Sequence, residues 1–170
     1  MGIEITVVAD TGPLIHLSEI GCVHLLKYFQ KIYVPESVRD EYYKHKRKSD
    51  PDFFDLQNIT LTKAQPEEIF DFISKHGLNN LHSGERDCLY LCQKLTIDTI
   101  FTDDLAARDA AKKLGITPVG SLGIVARLFK EQYISLDQAE KFLLSLYETS
   151  SLFVTKTLVD LVIEELRKVK

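Results

Sequence analysis

The chain has 170 residues, which is the length of one domain with room for a small helical appendage. Hydrophobic residues make up 45% and charged residues 27%, ordinary values for a folded domain with a core. The formal net charge of −4 lacks the strongly basic balance of many nucleic-acid-binding proteins. It does not exclude nucleic-acid binding, because an acidic metal-binding pocket lowers the count.

The three cysteines, Cys22, Cys88 and Cys92, form an odd set without the spacing of a disulfide framework, which favours a reducing cytoplasm. Cys88 and Cys92 lie four residues apart on a predicted helix, and we interpret them as buried apolar side chains rather than a metal-binding pair. The apolar runs are far shorter than the ~20 residues of a membrane-spanning helix, so we expect no membrane segment.

Short β-branched runs, which predict strands, alternate with stretches of helical spacing. In chain order we predict a strand at 5–9, helices at 14–20 and 23–29, a strand at 32–34, a helix at 35–46, a strand at 59–62, helices at 66–76 and 84–95, a strand at 99–102, a helix from 105, an edge strand at 117–119, and helices at 122–132, 136–147 and 157–169. Ser83 and Ser135 are predicted helix N-caps, and Gly21, Gly77 and Gly115 are predicted to end helices.

This alternation predicts an α/β fold, with a mainly parallel central sheet covered by helices on both faces and extra helices at the C-terminus. We assign residues 1–150 to the α/β domain and 151–170 to a C-terminal helical extension. An apolar stripe on the last predicted helix, which includes Val159 and Ile163, packs on the same domain or on a partner; packing within the chain is the default expectation.

Acidic residues follow two of the predicted strands. Asp10 closes the first strand, and Asp103 and Asp104 close the strand at 99–102. Each of these acids is also a possible helix N-cap. The Asp10-Thr11-Gly12 triplet spells an aspartic-protease motif as well, but that motif belongs to β-barrels, and helical spacing follows it here. Because open α/β sheets build their sites at the carboxyl ends of strands, we expect these carboxylates to lie in such a crevice.

Further acids lie on predicted helices. Glu85 and Asp87 are two residues apart and cannot share a helix face; we favour Asp87 as the site residue because it precedes the buried-type residue Cys88. Glu41 lies on a mostly solvated face and by itself indicates a surface position. A basic run follows it, and with Glu41 in a site this run would contact a phosphate backbone; otherwise it is a solvated helix end. The residues concerned are Lys44, Lys46, Arg47 and Lys48.

Carboxylates gathered in one pocket repel one another by ~4 kcal/mol per pair at ~4 Å with an effective dielectric of ~20. A divalent cation removes that repulsion, and carboxylate oxygens suit Mg²⁺ or Mn²⁺ better than Zn²⁺. One or two such ions activate a water and hold the leaving oxygen, so no side-chain nucleophile is needed. The histidines at 16, 24, 76 and 82 show no metal-ligand spacing and are interpreted as core or surface residues. These acids predict a metal-dependent hydrolase acting on phosphodiesters.

The order and spacing of these motifs over about residues 5–150 resemble the PIN-domain nucleases, and in part a prokaryotic subgroup common in archaea. The resemblance rests on the Asp10-Thr11-x-x-Leu14-Ile15 opening, the Pro35-to-Glu41 helix, Gly84-Glu85-x-Asp87, Phe101-Thr102-Asp103-Asp104 leading into Ala107-Arg108-x-Ala110-Ala111, and Leu114-Gly115-Ile116-x-Pro118-Val119-x-x-Ser121-Leu122-Gly123.

The resemblance implies a three-layer α/β/α sandwich and an Mg²⁺- or Mn²⁺-dependent endoribonuclease acting on single-stranded or structured RNA. It also implies a toxin with an antitoxin protein as partner, and a homodimer. By position, the acids that match the family's catalytic set are Asp10, Glu41, Asp87 and Asp104, of which Asp10, Asp87 and Asp104 would bind metal. Supporting roles fall to Thr11, Thr102, Asp103 and Glu85; Asp103 competes with Asp104, and Glu85 with Asp87, for the site position.

Two other functions compete with this nuclease. The first is a PIN-fold RNA-binding or assembly protein with weak or no cleavage, which would have no need of all the acids. The second is a receiver-like phospho-acceptor domain. A receiver domain expects paired acids near its first strand, whereas the Asp103-Asp104 pair falls on a late strand. The acids therefore favour the nuclease.

Overall fold

A computed structural model describes residues 2–169 of the chain, so the outermost residues of the predicted domain and extension, Met1 and Lys170, lie outside the described residues. The strands are β1 (Ile3–Ala9), β2 (Phe29–Pro35), β3 (Ile59–Thr62), β4 (Thr99–Phe101) and β5 (Thr117–Val119). The α-helices are α1 (Thr11–Glu19), α2 (Glu36–His45), α3 (Pro66–His76), α4 (Ser83–Leu95), α5 (Leu105–Lys113), α6 (Ser121–Lys130), α7 (Leu136–Glu148) and α8 (Lys156–Arg167).

The five strands form one parallel sheet in the order β3-β2-β1-β4-β5. The chain adds β2 and β3 on one side of β1 and later adds β4 and β5 on the other side. The strand order therefore reverses between β1 and β4, which is where open α/β sheets form a ligand-binding crevice at the carboxyl ends of their strands. The predicted three-layer α/β/α fold is confirmed, and β5 is an edge strand as its proline indicates.

The core lies on both faces of the sheet, because strands covered on both sides need near-continuous apolar residues. Val7, Val8 and Ala9 of β1 are fully buried. Helix α4 contacts β1, β2 and β4 and buries Cys88 and Cys92 against them, as the sequence predicts for small apolar side chains. This packing fixes the first turn of α4 over the crevice.

The last helix packs within the chain. Val159, Ile163 and Leu166 of α8 are buried, at the i, i+4, i+7 spacing of an apolar helix face, and α8 contacts α6 and α7. The segment 149–155, which joins α7 to α8, then returns to the carboxyl edge of the sheet. None of the described helices is long and apolar enough to cross a bilayer.

The helical stretch predicted at 23–29 is a 3-10 helix, Val23–Tyr28. One local prediction is wrong. Ser83 is the first residue of α4 rather than its N-cap, which is His82. The reason is Glu85, whose Oε2 accepts a hydrogen bond of 2.9 Å from the His82 backbone N–H and so fixes the start of the helix one residue earlier. Ser135 does cap α7, as predicted.

Candidate active site

Asp10 stands at the end of β1 in the crevice next to β4. Its backbone N–H donates to the Phe101 carbonyl oxygen, and the residue is only 6% exposed. Oδ1 accepts a hydrogen bond of 2.8 Å from the Thr11 N–H, and Oδ2 accepts one of 3.0 Å from Thr102 Oγ1. Burial raises the pKa of Asp10 to about 7, although both hydrogen bonds oppose that shift. A nearby cation would stabilise the ionised form.

Glu41 reaches the same crevice from α2. Val38 and Tyr42 of this helix are fully buried, and the Tyr42 hydroxyl lies 3.1 Å from Ser18 Oγ of α1. These contacts fix the rotation of α2 so that Glu41, three residues after Val38, lies at the margin of the core. Thr11 Oγ1 then donates a hydrogen bond of 3.0 Å to Glu41 Oε2. A helix whose sequence indicates a solvated face therefore turns one acid inward.

The first turn of α4 closes over both acids. A Cβ atom on Gly84 would lie 3.3 Å from Glu41 Oε2 and 3.7 Å from Asp10 Oδ1. Glycine permits this close approach, and the N-terminal end of a helix favours nearby carboxylates. Glu85 is buried beside it. Burial raises the pKa of Glu85 first, and the charges of Asp104 and Glu41 raise it further, while the His82 backbone bond opposes them.

The two aspartates after β4 make different contacts. Asp103 accepts hydrogen bonds of 2.7 Å from His16 Nδ1, 2.7 Å from the Ser121 N–H and 2.5 Å from Ser121 Oγ. Asp104 caps α5 by accepting a 2.8 Å bond from the Ala107 N–H at Oδ1. Within residues 2–169, no hydrogen bond is made to Asp104 Oδ2. Asp103 thus joins α1 to α6, and Asp104 keeps one carboxylate oxygen free.

These side chains enclose a cavity of about 290 Å³. Five acids from four separate segments line it: Asp10, Glu41, Glu85, Asp103 and Asp104. Throughout the described chain, however, no three His, Cys, Asp or Glu side chains converge closely enough to form a ready-made metal site. The donor set still fits Mg²⁺ or Mn²⁺, because it consists of carboxylate oxygens and one of them belongs to a buried acid with a raised pKa.

The family model of the PIN domain matches residues 6–168. The chain belongs to the PIN-domain family. PIN domains are generally nucleases, so the acidic cavity at the switch point of the sheet is the candidate active site of this PIN domain. The match includes helix α8 as well as the α/β sheet. No curated protein matches the chain significantly.

Asp87 lies outside the acidic cavity of the PIN domain. Ser37 Oγ donates a hydrogen bond of 2.6 Å to its Oδ2, which ties α4 to α2, and burial raises its pKa. Among the described residues, Asp87 is not one that lines the cavity, whereas Glu85 is. The sequence favoured Asp87 because Cys88 follows it. Glu85 is instead the residue that the start of α4 turns toward the site.

The basic run begins with Lys44 in the last turn of α2 and continues past the helix, and it contributes no lining residue to the acidic cavity in the part of the chain that is described. Lys44 and Lys48 are exposed, and Lys46 Nζ donates to the Arg47 carbonyl oxygen. Arg47 pairs with Glu19 of α1 at 3.3 Å. A role for the basic run in binding nucleic acid therefore stays a prediction, and Arg47 has a structural contact of its own.

Sequence reasoning missed His16 and His82, which it assigned to the core or surface. Both line the cavity of the PIN domain. One signal was present: His16 follows Gly12 by four residues, so these two residues share a face of α1, and Gly12 lies two residues after Asp10. Leu152 and Phe153 also line the cavity, but they come from the segment 149–155, and nothing local in the sequence indicates that this segment returns to the site.

Proposed function

We propose that this PIN-domain protein is a metal-dependent endoribonuclease, which hydrolyses phosphodiester bonds in single-stranded or structured RNA. One observation carries the proposal. Asp10, Glu41, Glu85 and Asp104, from four separate segments, line one cavity at the point where the strand order of the sheet reverses. Carboxylates brought together in this way repel one another unless a cation neutralises them.

In this proposal, Asp10, Glu85 and Asp104 hold Mg²⁺ or Mn²⁺. The ion, when bound, supplies an activated water and stabilises the leaving oxygen of the phosphodiester. The Thr102 hydroxyl holds Asp10 in position through Oδ2, and the Thr11 hydroxyl holds Glu41.

Glu41 keeps one oxygen engaged with Thr11 and positions a water with the other. Glu85 takes the place predicted for Asp87, because Asp87 is hydrogen-bonded to Ser37 instead.

Other parts of the prediction concern partners and location. We propose RNA as the substrate, with Lys44, Lys46, Arg47 and Lys48 as contacts to its backbone. A role as the toxin of a toxin–antitoxin pair, a homodimeric state and a cytoplasmic location stay predictions from the sequence. The three free cysteines, all buried, are consistent with a reducing compartment.

The test is cleavage of a labelled single-stranded RNA by the full chain with Mg²⁺ or Mn²⁺, and with excess EDTA. We expect cleavage only with the metal and none by Asp10→Asn. Asp71→Asn is the matched control, because Asp71 is an exposed acid of α3. Binding of RNA without cleavage would support the alternative of an RNA-binding or assembly protein. Neither binding nor cleavage of any RNA would remove both functions.

A further inference from the structure

Phe153 is the most exposed large apolar residue described in the chain, at 100% accessibility. It lies in the segment 149–155, beside the half-buried residues Leu152 and Val154, which pack against the core. An aromatic ring in water gains nothing for the fold, so the structure gives Phe153 no stabilising role. Its surroundings point to a ligand.

The segment that carries Phe153 is held by several hydrogen bonds. The Ser151 N–H and Oγ donate to Glu19 Oε2 at 2.6 and 3.0 Å, and Glu19 also pairs with Arg47. Ser150 Oγ donates to the Leu146 carbonyl oxygen at 2.5 Å. The backbone on the N-terminal side of Phe153 is thus fixed to α1 and α7. A ring presented from a fixed backbone loses little conformational freedom when it binds.

Phe153 stands between two cavities. With Leu152, it lines the acidic cavity and also a larger cavity of about 770 Å³, and Asp103 belongs to both. The larger cavity carries the cations Arg108, Arg127 and Lys130. Arg108 Nη1 donates to the carbonyl oxygen of Thr102, the residue before Asp103, which lines both cavities. The path therefore runs from carboxylates, past an exposed aromatic ring, to a groove that is lined mainly by apolar side chains and carries three cations.

We propose that Phe153 is a stacking platform for an unpaired RNA base next to the scissile phosphate, with the following phosphates directed toward Arg108, Arg127 and Lys130. This inference rests on the proposed ribonuclease function and names how that site binds its substrate. Proteins that bind single strands combine a positively charged groove with aromatic side chains on which bases stack. Both elements adjoin the acids here, and the acids alone would repel an RNA backbone.

Most of the groove's lining is apolar, and its three cations are the feature that favours an RNA strand over a purely apolar protein partner. Three cations line one cavity beside an exposed ring, and only Arg127 of them has a salt bridge among the described residues, to Glu131. Phosphates would occupy such a groove and release counterions. A protein helix or a second copy of the chain would need only the apolar character of position 153, without its aromatic face. This difference can be tested by substitution.

The experiment measures the affinity of a fluorescein-labelled single-stranded RNA for the full chain carrying Asp10→Asn, by fluorescence anisotropy. Phe153→Ala, Phe153→Leu and Phe153→Tyr are added to this background. We expect the Ala and Leu variants to bind roughly 5- to 100-fold more weakly, because base stacking is lost. The Tyr variant keeps its ring and retains the affinity. Because position 153 is fully exposed, none of these changes should disturb folding.

Phe70→Ala is the matched control, since Phe70 is 69% exposed on α3 and lines neither cavity. If the natural chain cleaves RNA but all the Phe153 variants bind RNA equally well, the stacking role is wrong and the nuclease function stands. Full affinity of the Leu variant would also overturn it. So would a Phe153→Ala variant that loses self-association in sedimentation while its RNA affinity is unchanged. If the natural chain does not cleave RNA and the Asp10→Asn chain does not bind it, both proposals fail together.

Discussion

The hydroxyl of Thr102 donates a hydrogen bond of 3.0 Å to Oδ2 of Asp10, which joins the ends of β4 and β1 across the crevice between them. Both side chains are buried, so the bond is shielded from water. The same hydroxyl accepts a bond of 3.3 Å from the Asp104 N–H. One threonine therefore sets the position of two candidate metal ligands that are far apart in the sequence.

Replacing Thr102 with valine keeps its shape and removes this donor. We expect the free energy of unfolding to fall by ~1–3 kcal/mol, because a buried carboxylate loses a hydrogen bond, and RNA cleavage to fall with it. The pKa of Asp10 should rise further above its usual range. Urea denaturation and cleavage rates measure both effects. Thr102→Ser keeps the hydroxyl, and a serine variant as weak as the valine variant would contradict the role given to the bond.

The raised pKa of Asp10 predicts a pH dependence of stability in the absence of divalent metal. The folded chain holds this proton up to about pH 7, whereas an unfolded chain releases it near the ordinary value of 3.8. Stability is therefore lost as the pH rises between these values, by on the order of 4 kcal/mol. Asp10→Asn cannot ionise and loses this dependence. It should be more stable than the natural chain above neutral pH, and nearly equal to it in acid.

Urea denaturation in EDTA across this pH range is the measurement for Asp10→Asn. Adding Mg²⁺ or Mn²⁺ should stabilise the natural chain near neutral pH, because the ion binds the ionised carboxylate of the folded state. The difference in stability between the natural chain and Asp10→Asn should then become smaller. Denaturation midpoints that stay parallel for the two proteins at every pH would show that burial of Asp10 does not control its ionisation.

We expect different effects on metal binding from replacing Glu85 and from replacing Asp87. Glu85 lines the acidic cavity and Asp87 is hydrogen-bonded to Ser37. We expect Glu85→Gln to lower RNA cleavage by more than roughly 100-fold, beyond the usual effect of changing a group around a metal site. Its affinity for Mn²⁺, measured by calorimetry, should fall as well. Asp87→Asn should lower stability and keep Mn²⁺ affinity. The reverse pattern would restore the assignment made from sequence.

The sequence predicted the fold well because the signals for it are local. A β-branched run with Asp10 after it, or a run with Asp103 and Asp104 after it, indicates both a strand and its carboxyl end. The parallel alternation of strands and helices then brings those ends to one edge of the sheet. The neighbourhood of β1 and β4 follows from this rule, and so does the place of Asp10 in the crevice.

The rest of the site depends on helix rotation, which local patterns do not determine. Glu41 faces the cavity because buried Tyr42 turns α2, and Glu85 faces it because its own side chain sets the start of α4. The sequence favoured Asp87 because a buried residue follows it. A buried helix face, however, has an edge on each side, and the sequence does not indicate which edge faces the site. Phe153 reaches the site only through the packing of α7 and α8, which involves residues distant in sequence.

We predict that the two aspartates after β4 have different roles, a structural one for Asp103 and a metal-binding one for Asp104. Asp103 accepts three hydrogen bonds, from His16 and Ser121, and Asp103→Asn replaces an acceptor with a donor against them. We expect this change to lower stability by ~1–3 kcal/mol. Asp104→Asn keeps the cap of α5, since asparagine is as good an N-cap, and should leave stability unchanged while Mn²⁺ affinity falls. Denaturation and calorimetry on both variants separate the roles; equal stability losses would contradict them.

The basic run after Glu41 predicts how RNA affinity depends on salt. Changing Lys44, Lys46 and Lys48 to glutamine should weaken RNA binding by the Asp10→Asn chain. The slope of log affinity against log salt should fall by about 0.7 for each phosphate that the protein no longer neutralises. Arg47 stays unchanged, because it pairs with Glu19, which holds the segment that carries Phe153.

A matched control for this salt dependence removes the same charge elsewhere. Lys63, Lys75 and Lys141 are exposed, and changing all three to glutamine alters the net charge by the same amount. If the two triple variants lose equal affinity and slope, the effect belongs to the overall charge of the protein, and the basic run after Glu41 has no specific contact with RNA. If only the variant of Lys44, Lys46 and Lys48 shows a smaller dependence of affinity on salt, the RNA backbone passes beside Glu41, because salt-dependent contacts act at short range.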